Sequence, residues 1–331
     1  MSNVTMSQIA EAVGVSQATV SFVLNGRHSA SGSISPDTQR RVQEAAAQLG
    51  YRPNRAARAL ATGRSQLIGL CMWELAAPHY AGVIRQSESR LQNSPYHLLI
   101  SCLRTQSGED DPHLLESIFP WPLDGVLALQ ADRVLANHWE RFHSWPAPIV
   151  NMGRVLQHLE NLDSVDIDLA AGVRQAVAHL LEIGCRRIAF AAHRSSLQSD
   201  EPRPVAYAQT LRECGRAPEY IPLPGSTRAQ ARAGMKKYIA ARDCPDGILC
   251  FNDEAALGVY RALCDLQIKV PQQVALIGCD GIEDTEYLEV PLSTIVQPVE
   301  EMCRLAWEML RERIETPQRE FQHQLLVPQL A

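Results

Sequence analysis

Two patterns of apolar and polar residues divide the chain near residue 66. Before it, apolar side chains recur at helical spacing, at Ile9, Ala10, Val13, Val20, Val23 and Leu24. This spacing predicts amphipathic helices. After it, short apolar runs alternate with amphipathic stretches, which is typical of buried parallel strands connected by helices. The sequence therefore predicts a small all-α part followed by a larger α/β part.

Capping residues and a glycine mark the first two helices. Thr5 and Gln8 have capping-box spacing, so a helix is expected to begin there. Gly14 permits the sharp turn that ends it, and Ser16 can cap a second helix running to about Asn25. Two short helices around a glycine turn are typical of the helix-turn-helix, whose second helix enters the DNA major groove. A small helical packing unit without a ligand is the alternative.

A third helix is predicted where Ser35 supplies a cap and Pro36 the first helical position. The helix is expected to close at Gly50. Its apolar residues are Val42, Ala46 and Leu49. Three helices of this size complete a small core.

A short basic stretch follows, in which Asn54 can cap a helix that is too short to be stable alone. Its alanines permit close approach of a second copy. An apolar side chain such as Leu60, beside Arg55 and Arg58, can open and bend a DNA minor groove. An ordinary basic linker is the alternative.

Charge is distributed unevenly along the chain. The net charge is −6, yet residues 1–66 contain seven arginines and three acidic residues and so carry +4, which leaves about −10 for the remainder. A basic N-terminal part joined to an acidic larger part is typical of a protein whose N-terminal part contacts phosphates.

The larger part is predicted to contain two doubly wound α/β lobes. Its expected strands are Leu67–Met72, His97–Cys102, Gly125–Leu129, Pro148–Met152, Arg187–Ala192, Gly247–Phe251 and Val274–Gly278. The sequence has no G-x-G-x-x-G or phosphate-loop motif, which disfavours a nucleotide-dependent Rossmann enzyme.

Other classes of protein are disfavoured by composition. The nine cysteines are scattered without a C-x-x-C pair, so reduced thiols are expected and no metal or cofactor. The beginning of the chain lacks the features of a secretory signal, and no apolar run approaches the roughly 20 residues of a membrane span. A soluble cytoplasmic protein without a membrane partner is expected.

Thr5 to Asn25 and Tyr51 to Leu60 resemble the head and the hinge helix of the lactose-repressor and galactose-repressor family of bacterial transcriptional regulators. The resemblance extends over essentially the whole chain. It implies a helix-turn-helix head and hinge helix joined to a two-lobed α/β effector domain of the periplasmic-binding-protein type. The implied ranges are 1–50 for the head, 51–66 for the hinge, and 67–331 for the effector domain, with one lobe at about 67–163 plus 298–317 and the other at about 167–295.

The same resemblance implies a homodimer that reads a roughly palindromic double-stranded DNA operator, with the hinge helices in the central minor groove. The residues implied to contact phosphates are Thr5, Thr19, Ser21 and Asn25, and those implied to contact base edges are Gln17, Ala18 and Phe22. The remaining members of the DNA-binding set are Ser16, Arg27, Tyr51, Asn54, Arg55, Ala57, Arg58 and Leu60.

A ligand site between the lobes is implied by matched motifs, which place Arg203, Asn252, Asp280 and Gln297 in it. A polyhydroxylated ligand fits these groups, because Asp280 accepts from paired hydroxyls, Arg203 donates, and Asn252 does both. Three aromatic residues could stack on a sugar, with core packing as the alternative: Trp73, Tyr80 and Phe251.

The expected function is that of a dimeric repressor of a carbohydrate-utilisation operon, released from DNA by a sugar or sugar phosphate. The alternatives are a regulator that needs a purine or another metabolite to bind DNA, a cytoplasmic sugar-binding protein, and an enzyme. Acidic residues cluster at residues 280–286, but acids on a surface turn are usually solvated, and no G-x-S-x-G motif marks a nucleophile. Catalysis is therefore not expected.

Overall fold

The structure, a computed structural model, forms two compact units, residues 1–65 and residues 66–331. The ranges that it describes are 4–24, 34–51, 59, 62–72, 75, 77–102, 121–130, 145–153, 161–198 and 201–331. No helix within these ranges is long and apolar enough to cross a membrane.

The described part of the first unit contains the three helices that the sequence predicted: α1 (Met6–Val13), α2 (Gln17–Leu24) and α3 (Pro36–Gln48). The capping box is present, because Gln8 N–H donates to the Thr5 hydroxyl and Thr5 N–H donates to the Gln8 side chain. Gly14 adopts a left-handed conformation with φ 73°, which ends α1.

The core of the first unit is made by apolar faces of all three helices, with Ile9, Val20 and Val42 fully buried. Burial of these side chains supplies the stability that helices of eight residues lack on their own. Leu49 caps the end of α3 and is 41 % exposed, and Gly50 follows with φ 66°, so the helix closes where the sequence predicted.

The first lobe of the second unit is built on a six-stranded parallel sheet with the order β11-β5-β4-β3-β1-β2. Its strands are β1 (Leu67–Met72), β2 (His97–Cys102), β3 (Gly125–Leu129), β4 (Ile149–Met152), β5 (Asp163–Ile167) and β11 (His323–Leu326). Two described helices pack against it, α4 (Pro78–Leu91) and α10 (Val299–Glu315).

The second lobe is built on another six-stranded sheet with the order β12-β10-β9-β8-β6-β7, in which only β12 is antiparallel. Its strands are β6 (Ile188–His193), β7 (Glu219–Leu223), β8 (Gly247–Cys250), β9 (Ala275–Asp280), β10 (Ser293–Val296) and β12 (Gln329–Leu330). Its helices are α5 (Leu169–Glu182), α6 (Arg194–Gln198), α7 (Pro202–Glu213), α8 (Arg228–Ala241) and α9 (Asp253–Asp265).

The predicted fold class is confirmed, and all seven predicted strands are present with ends within two residues of the expected ones. The chain passes between the two sheets three times: after β5, after β10 and after β11. The family resemblance implies crossovers near 163–167 and 294–299, and these segments contain the whole of β5 and most of β10. Each crossing segment is thus hydrogen-bonded to a sheet before it leaves, which fixes its position in that lobe.

Candidate DNA-contacting surface and effector site

The exposed start of α2 is the most clearly formed feature of the candidate DNA-contacting surface. Ser16 Oγ accepts from Thr19 N–H at 3.1 Å and so caps the helix. Gln17 and Ala18 of the first turn are exposed. The Ser7 hydroxyl lies 3.2 Å from Gln17 Oε1, which holds the amide against α1 and leaves its nitrogen as a donor.

The other predicted contact residues of the head lie around this turn. Thr5 is exposed, and Thr19, Ser21, Phe22 and Tyr51 are half-buried. Phe22 therefore presents only part of its ring, the rest of which lies against the head. The predicted contacts that lie outside the described residues are Asn25, Arg27, Asn54, Arg55, Ala57, Arg58 and Leu60.

Arg41 secures the pair of helices that carries this surface. Its Nη2 donates to the carbonyl of Val13 at 2.6 Å, and so occupies an acceptor at the end of α1. The contact joins α3 to the turn between α1 and α2. The position of α1 against α3 is thereby held by a charge-assisted hydrogen bond as well as by the core.

In the second lobe, Arg203 lies at the start of α7 and is 94 % buried. Its Nε donates to Glu201 Oε1 at 2.7 Å and its Nη1 donates to the carbonyl of Phe251 at 2.9 Å. The guanidinium carbon is 3.5 Å from the centre of the Phe251 ring. The stacked ring and the hydrogen bonds together fix the direction of the guanidinium group.

Asp253 is a fully buried acceptor that joins three segments of the second lobe. Its carboxylate accepts from Gly281 N–H at 2.8 Å, Ile282 N–H at 2.9 Å and the Thr294 hydroxyl at 2.7 Å. Gly278 is required beside it, because a Cβ there would lie 2.0 Å from Asp253 Oδ1. Desolvation, and then the charge of Asp280, raise the pKa of Asp253 to about 6.

Asp280 ends β9 in a conformation that is rare for a residue with a side chain, with φ 145°. Gln297 holds it from two sides, since its side-chain amide donates to Asp280 Oδ1 at 2.7 Å and its N–H donates to the Asp280 carbonyl at 3.2 Å. Desolvation raises the pKa of Asp280 to about 7, although Arg203 and Gln297 both lower it. Backbone strain of this kind is often found at binding sites.

Asn252 follows β8 and caps α9, because its Oδ1 accepts from Ala255 N–H at 2.9 Å. The side-chain oxygen thus has a structural role that the sequence prediction did not include. The amide nitrogen is the group that remains as a donor toward a ligand. Asn252 therefore lies at the same strand ends as Asp280, but fewer of its hydrogen-bonding groups can serve a ligand than we expected.

In the first lobe, the start of α4 contacts the carboxyl end of β3. Tyr80 is buried in α4, and its hydroxyl donates to Gln130 Oε1 at 2.5 Å just after β3. The neighbouring His79 is also buried. Burial, and then the charge of Arg203, lower the pKa of His79 to about 4. Because Arg203 belongs to the second lobe, its charge acts on the pKa of His79 from the other lobe.

The structure brings together most of the predicted effector residues, namely Tyr80, Arg203, Phe251, Asn252, Asp280 and Gln297, at the carboxyl ends of the strands of the two sheets, where open α/β sheets bind ligands. Trp73 lies outside the described residues. The sequence prediction missed His79, Gln130, Glu201 and Asp253. Asp253 stands inside the motif that identified Asn252, and Glu201 lies two residues before Arg203, so both had a local signal.

The whole chain resembles known regulators. Residues 5–54 match the lacI family of bacterial regulatory proteins, and residues 177–331 match a periplasmic binding protein-like domain. The transcriptional regulator CelR of Thermobifida fusca is 31 % identical over 322 residues, covering 94 % of this chain and 92 % of that protein.

Solved structures agree with this similarity. A complex of the regulator CelR with cellobiose has a TM-score of 0.69 and 28 % identity, and it covers 99 % of this chain and 98 % of that one. The lac repressor dimer bound to operator and an anti-inducer has a TM-score of 0.84 and 24 % identity, covering 100 % of this chain and 98 % of that one, and supports the fold. The family consists of DNA-binding regulators, and this chain belongs to the lacI family of bacterial regulatory proteins.

Proposed function

We propose that this protein is a dimeric transcriptional repressor that binds a palindromic operator and leaves it when a sugar-like effector binds between the two lobes. The observation that supports this most directly is the exposed, capped start of α2, in a head that matches the lacI family over residues 5–54. Homodimerisation is part of the proposal, because the lac repressor has been solved as a dimer on its operator.

The carbohydrate part of the proposal is supported by the polar groups at the strand ends of the second lobe. Asp280 can accept from sugar hydroxyls, Arg203 can donate to them, and Gln297 holds Asp280 in place. The CelR relative of known structure has cellobiose bound. A regulator that senses a purine fits less well, because Asp280, Arg203 and Gln297 match the paired hydroxyls of a sugar, which donate and accept at each oxygen.

The proposed division of labour follows the ranges predicted from sequence. Residues 1–50 bind DNA, residues 51–66 form a hinge that includes Leu60, and residues 67–331 bind the effector and dimerise. We place the protein in the bacterial cytoplasm at the nucleoid and assign it no catalytic activity. Effector binding would change the angle between lobes and so separate the two hinges, which couples the two sites.

Selection of DNA by the full-length protein tests the proposal. The protein is incubated with a pool of randomised duplexes, the bound fraction is amplified and sequenced, and affinity for the selected duplex is measured. We expect two inverted half-sites. Gln17→Ala should then weaken binding to that duplex by about tenfold or more, because a base-edge contact contributes about 1–3 kcal/mol of discrimination.

Gln43→Ala is the matched control, since Gln43 is exposed on α3. It should leave operator affinity unchanged. Recovery of random sequences without inverted symmetry would refute the operator proposal. An equal loss of affinity in both variants would show that the start of α2 has no particular role in recognition.

A further inference from the structure

Arg203 has its charge paired before any ligand binds. The partner is Glu201, whose side chain is 22 % exposed against 8 % for that of Arg203, and the two are joined by a hydrogen bond of 2.7 Å. Phe251 covers the guanidinium face and its carbonyl accepts a second N–H. Removing one ion of a pair buried to this extent is costly, because the other remains uncompensated. Arg203 is therefore a hydrogen-bond donor with little net charge to offer.

Carboxylates outnumber cations around this pair in the described part of the second lobe. The charge of Asp253 raises the pKa of His79, and the charge of Asp280 raises the pKa of Asp253. The charge of Glu254 in turn raises the pKa of Asp280. Glu254 is paired with Arg228, which also pairs with Asp284. On the facing side His79 is neutral near pH 7, because burial lowers its pKa to about 4. Because the pKa of Asp253 is about 6 and that of Asp280 about 7, the first is mostly ionised and the second about half ionised at pH 7, and the described groups still give the site a negative balance.

A hydroxyl group and a phosphate group of a ligand would interact differently with Arg203 and Asp280. A hydroxyl can accept from Arg203 and donate to Asp280 at the same time. A phosphate at neutral pH carries negative charge and is mainly an acceptor, so it would meet the carboxylates of the second lobe beside an Arg203 whose charge is already paired with Glu201. Like charges brought together in a binding site cost several kcal/mol.

We propose that the effector site selects an uncharged polyhydroxylated ligand and rejects its phosphorylated or carboxylated derivatives, with Glu201 as the residue that sets this preference. The inference rests on the proposed function, which places the effector at this site. It narrows the effector from a sugar or sugar phosphate to the unphosphorylated class. Glu201 acts through Arg203, because it neutralises the buried guanidinium group that would otherwise attract an anion.

Matched pairs of ligands test the preference on the full-length protein. Ribose, glucose and fructose are each compared with their phosphate esters by thermal shift and titration calorimetry, and cellobiose and lactose are included. In any pair that binds, we expect the neutral sugar to bind about 100-fold more tightly than its ester. Glu201→Gln should reduce this ratio by about tenfold, because the glutamine keeps the hydrogen bond to Arg203 but removes the negative charge.

Glu300→Gln is the matched control, since it also removes a carboxylate that pairs with an arginine, here the exposed pair with Arg90. It should leave the ratio unchanged. An ester that binds more tightly than its parent sugar would overturn the proposal, and so would a ratio that Glu201→Gln does not alter.

Inorganic phosphate tests the charge preference without knowledge of the sugar. At about 10 mM phosphate, compared with sodium chloride of equal ionic strength, the melting temperature of the wild type should not change, whereas Glu201→Gln should be stabilised. Stabilisation of the wild type by phosphate, abolished in Arg203→Gln, would overturn the inference. If phosphate behaves as expected but no sugar of the panel binds, the proposed carbohydrate effector fails and the preference against anions stands.

Discussion

The two lobes of the second unit each contain a fully buried carboxylate beside a segment that passes to the other lobe. In the first lobe, Asp163 at the start of β5 is bound by Arg313 Nε at 2.9 Å and by Gln322 N–H at 2.8 Å. In the second lobe, Asp253 at the start of α9 is bound by two N–H groups and by the Thr294 hydroxyl. Only the first carboxylate has a cation as its partner among the described residues.

Asp163 therefore has a structural role, whereas the raised pKa of Asp253 makes its charge depend on pH. Asp163 and Arg313 hold the segment between α10 and β11, because Arg313 also donates to the carbonyls of Pro317 and Glu320. Asp253 is stabilised by dipoles alone, and desolvation raises its pKa to about 6. Asp253 lies near Asp280, at the proposed ligand site. Both carboxyl groups at the candidate effector site, Asp253 and Asp280, thus have a raised pKa, because burial disfavours their charged forms.

Substitution of Asp163 should have the largest effect. Asp163→Asn leaves the buried guanidinium of Arg313 without a counter-ion, so the free energy of unfolding should fall by about 3–5 kcal/mol. Urea unfolding followed by circular dichroism measures this. A loss below about 1 kcal/mol would mean that the ion pair is not an anchor.

The same substitution in the second lobe should be milder. In Asp253→Asn the amide oxygen can accept from Gly281 and Ile282 while the amide nitrogen donates to Thr294 Oγ1, so every hydrogen bond is retained. We expect a loss of about 1 kcal/mol or less at neutral pH. A loss equal to that of Asp163→Asn would remove the contrast between the lobes.

The pH dependence of the free energy of unfolding of Asp253→Asn gives a further test of the difference between the lobes. A carboxyl whose pKa is higher in the folded state than in the unfolded state binds its proton more tightly when folded. Its stabilising contribution is therefore complete below the ordinary pKa of 3.8 and is lost as the pH rises through about 6. Between about pH 4 and about pH 7, wild type should lose about 1–2 kcal/mol more than the variant. Parallel pH profiles would contradict the raised pKa.

The smaller of the two pH effects is expected in the first lobe and has the opposite sign. The pKa of His79 is lowered from 6.5 to about 4, so the folded state favours neutral imidazole. That contribution is complete above pH 6.5 and is lost as the pH falls toward 4. From about pH 7 to about pH 5, wild type should lose about 1 kcal/mol more than His79→Gln in urea unfolding. His97→Gln, at an exposed position of β2, should show no such difference.

Local patterns predicted the elements of the fold well. The Thr5 capping box, the Gly14 turn and the seven predicted strands depend on residues that are close in the chain, and all are present. The segments 163–167 and 294–299 were expected to cross between lobes, and the strands within them could not be predicted, because their partners are far away in the sequence.

The candidate site was predicted in part for the same reason. Motifs located Arg203, Asn252, Asp280 and Gln297 at strand ends, but no motif indicated which groups these residues already bind. Glu201 pairs with Arg203 because Pro202 begins α7 between them and the two side chains meet. His79 is 124 residues from Arg203 in the sequence, and the charge of Arg203 acts on it only because the chain is folded.

Local sequence patterns specify the three-helix head, the alternation of strands and helices, and the set of polar residues at the strand ends. These follow from hydrophobic periodicity, capping and local motifs, which act over a few residues. Tertiary structure alone decided which charges are neutralised. Asp163 meets Arg313 across 150 residues, whereas Asp253 meets only dipoles. Charge pairing depends on distance and burial in space, and for that reason the electrostatic character of the site emerges only from the folded chain.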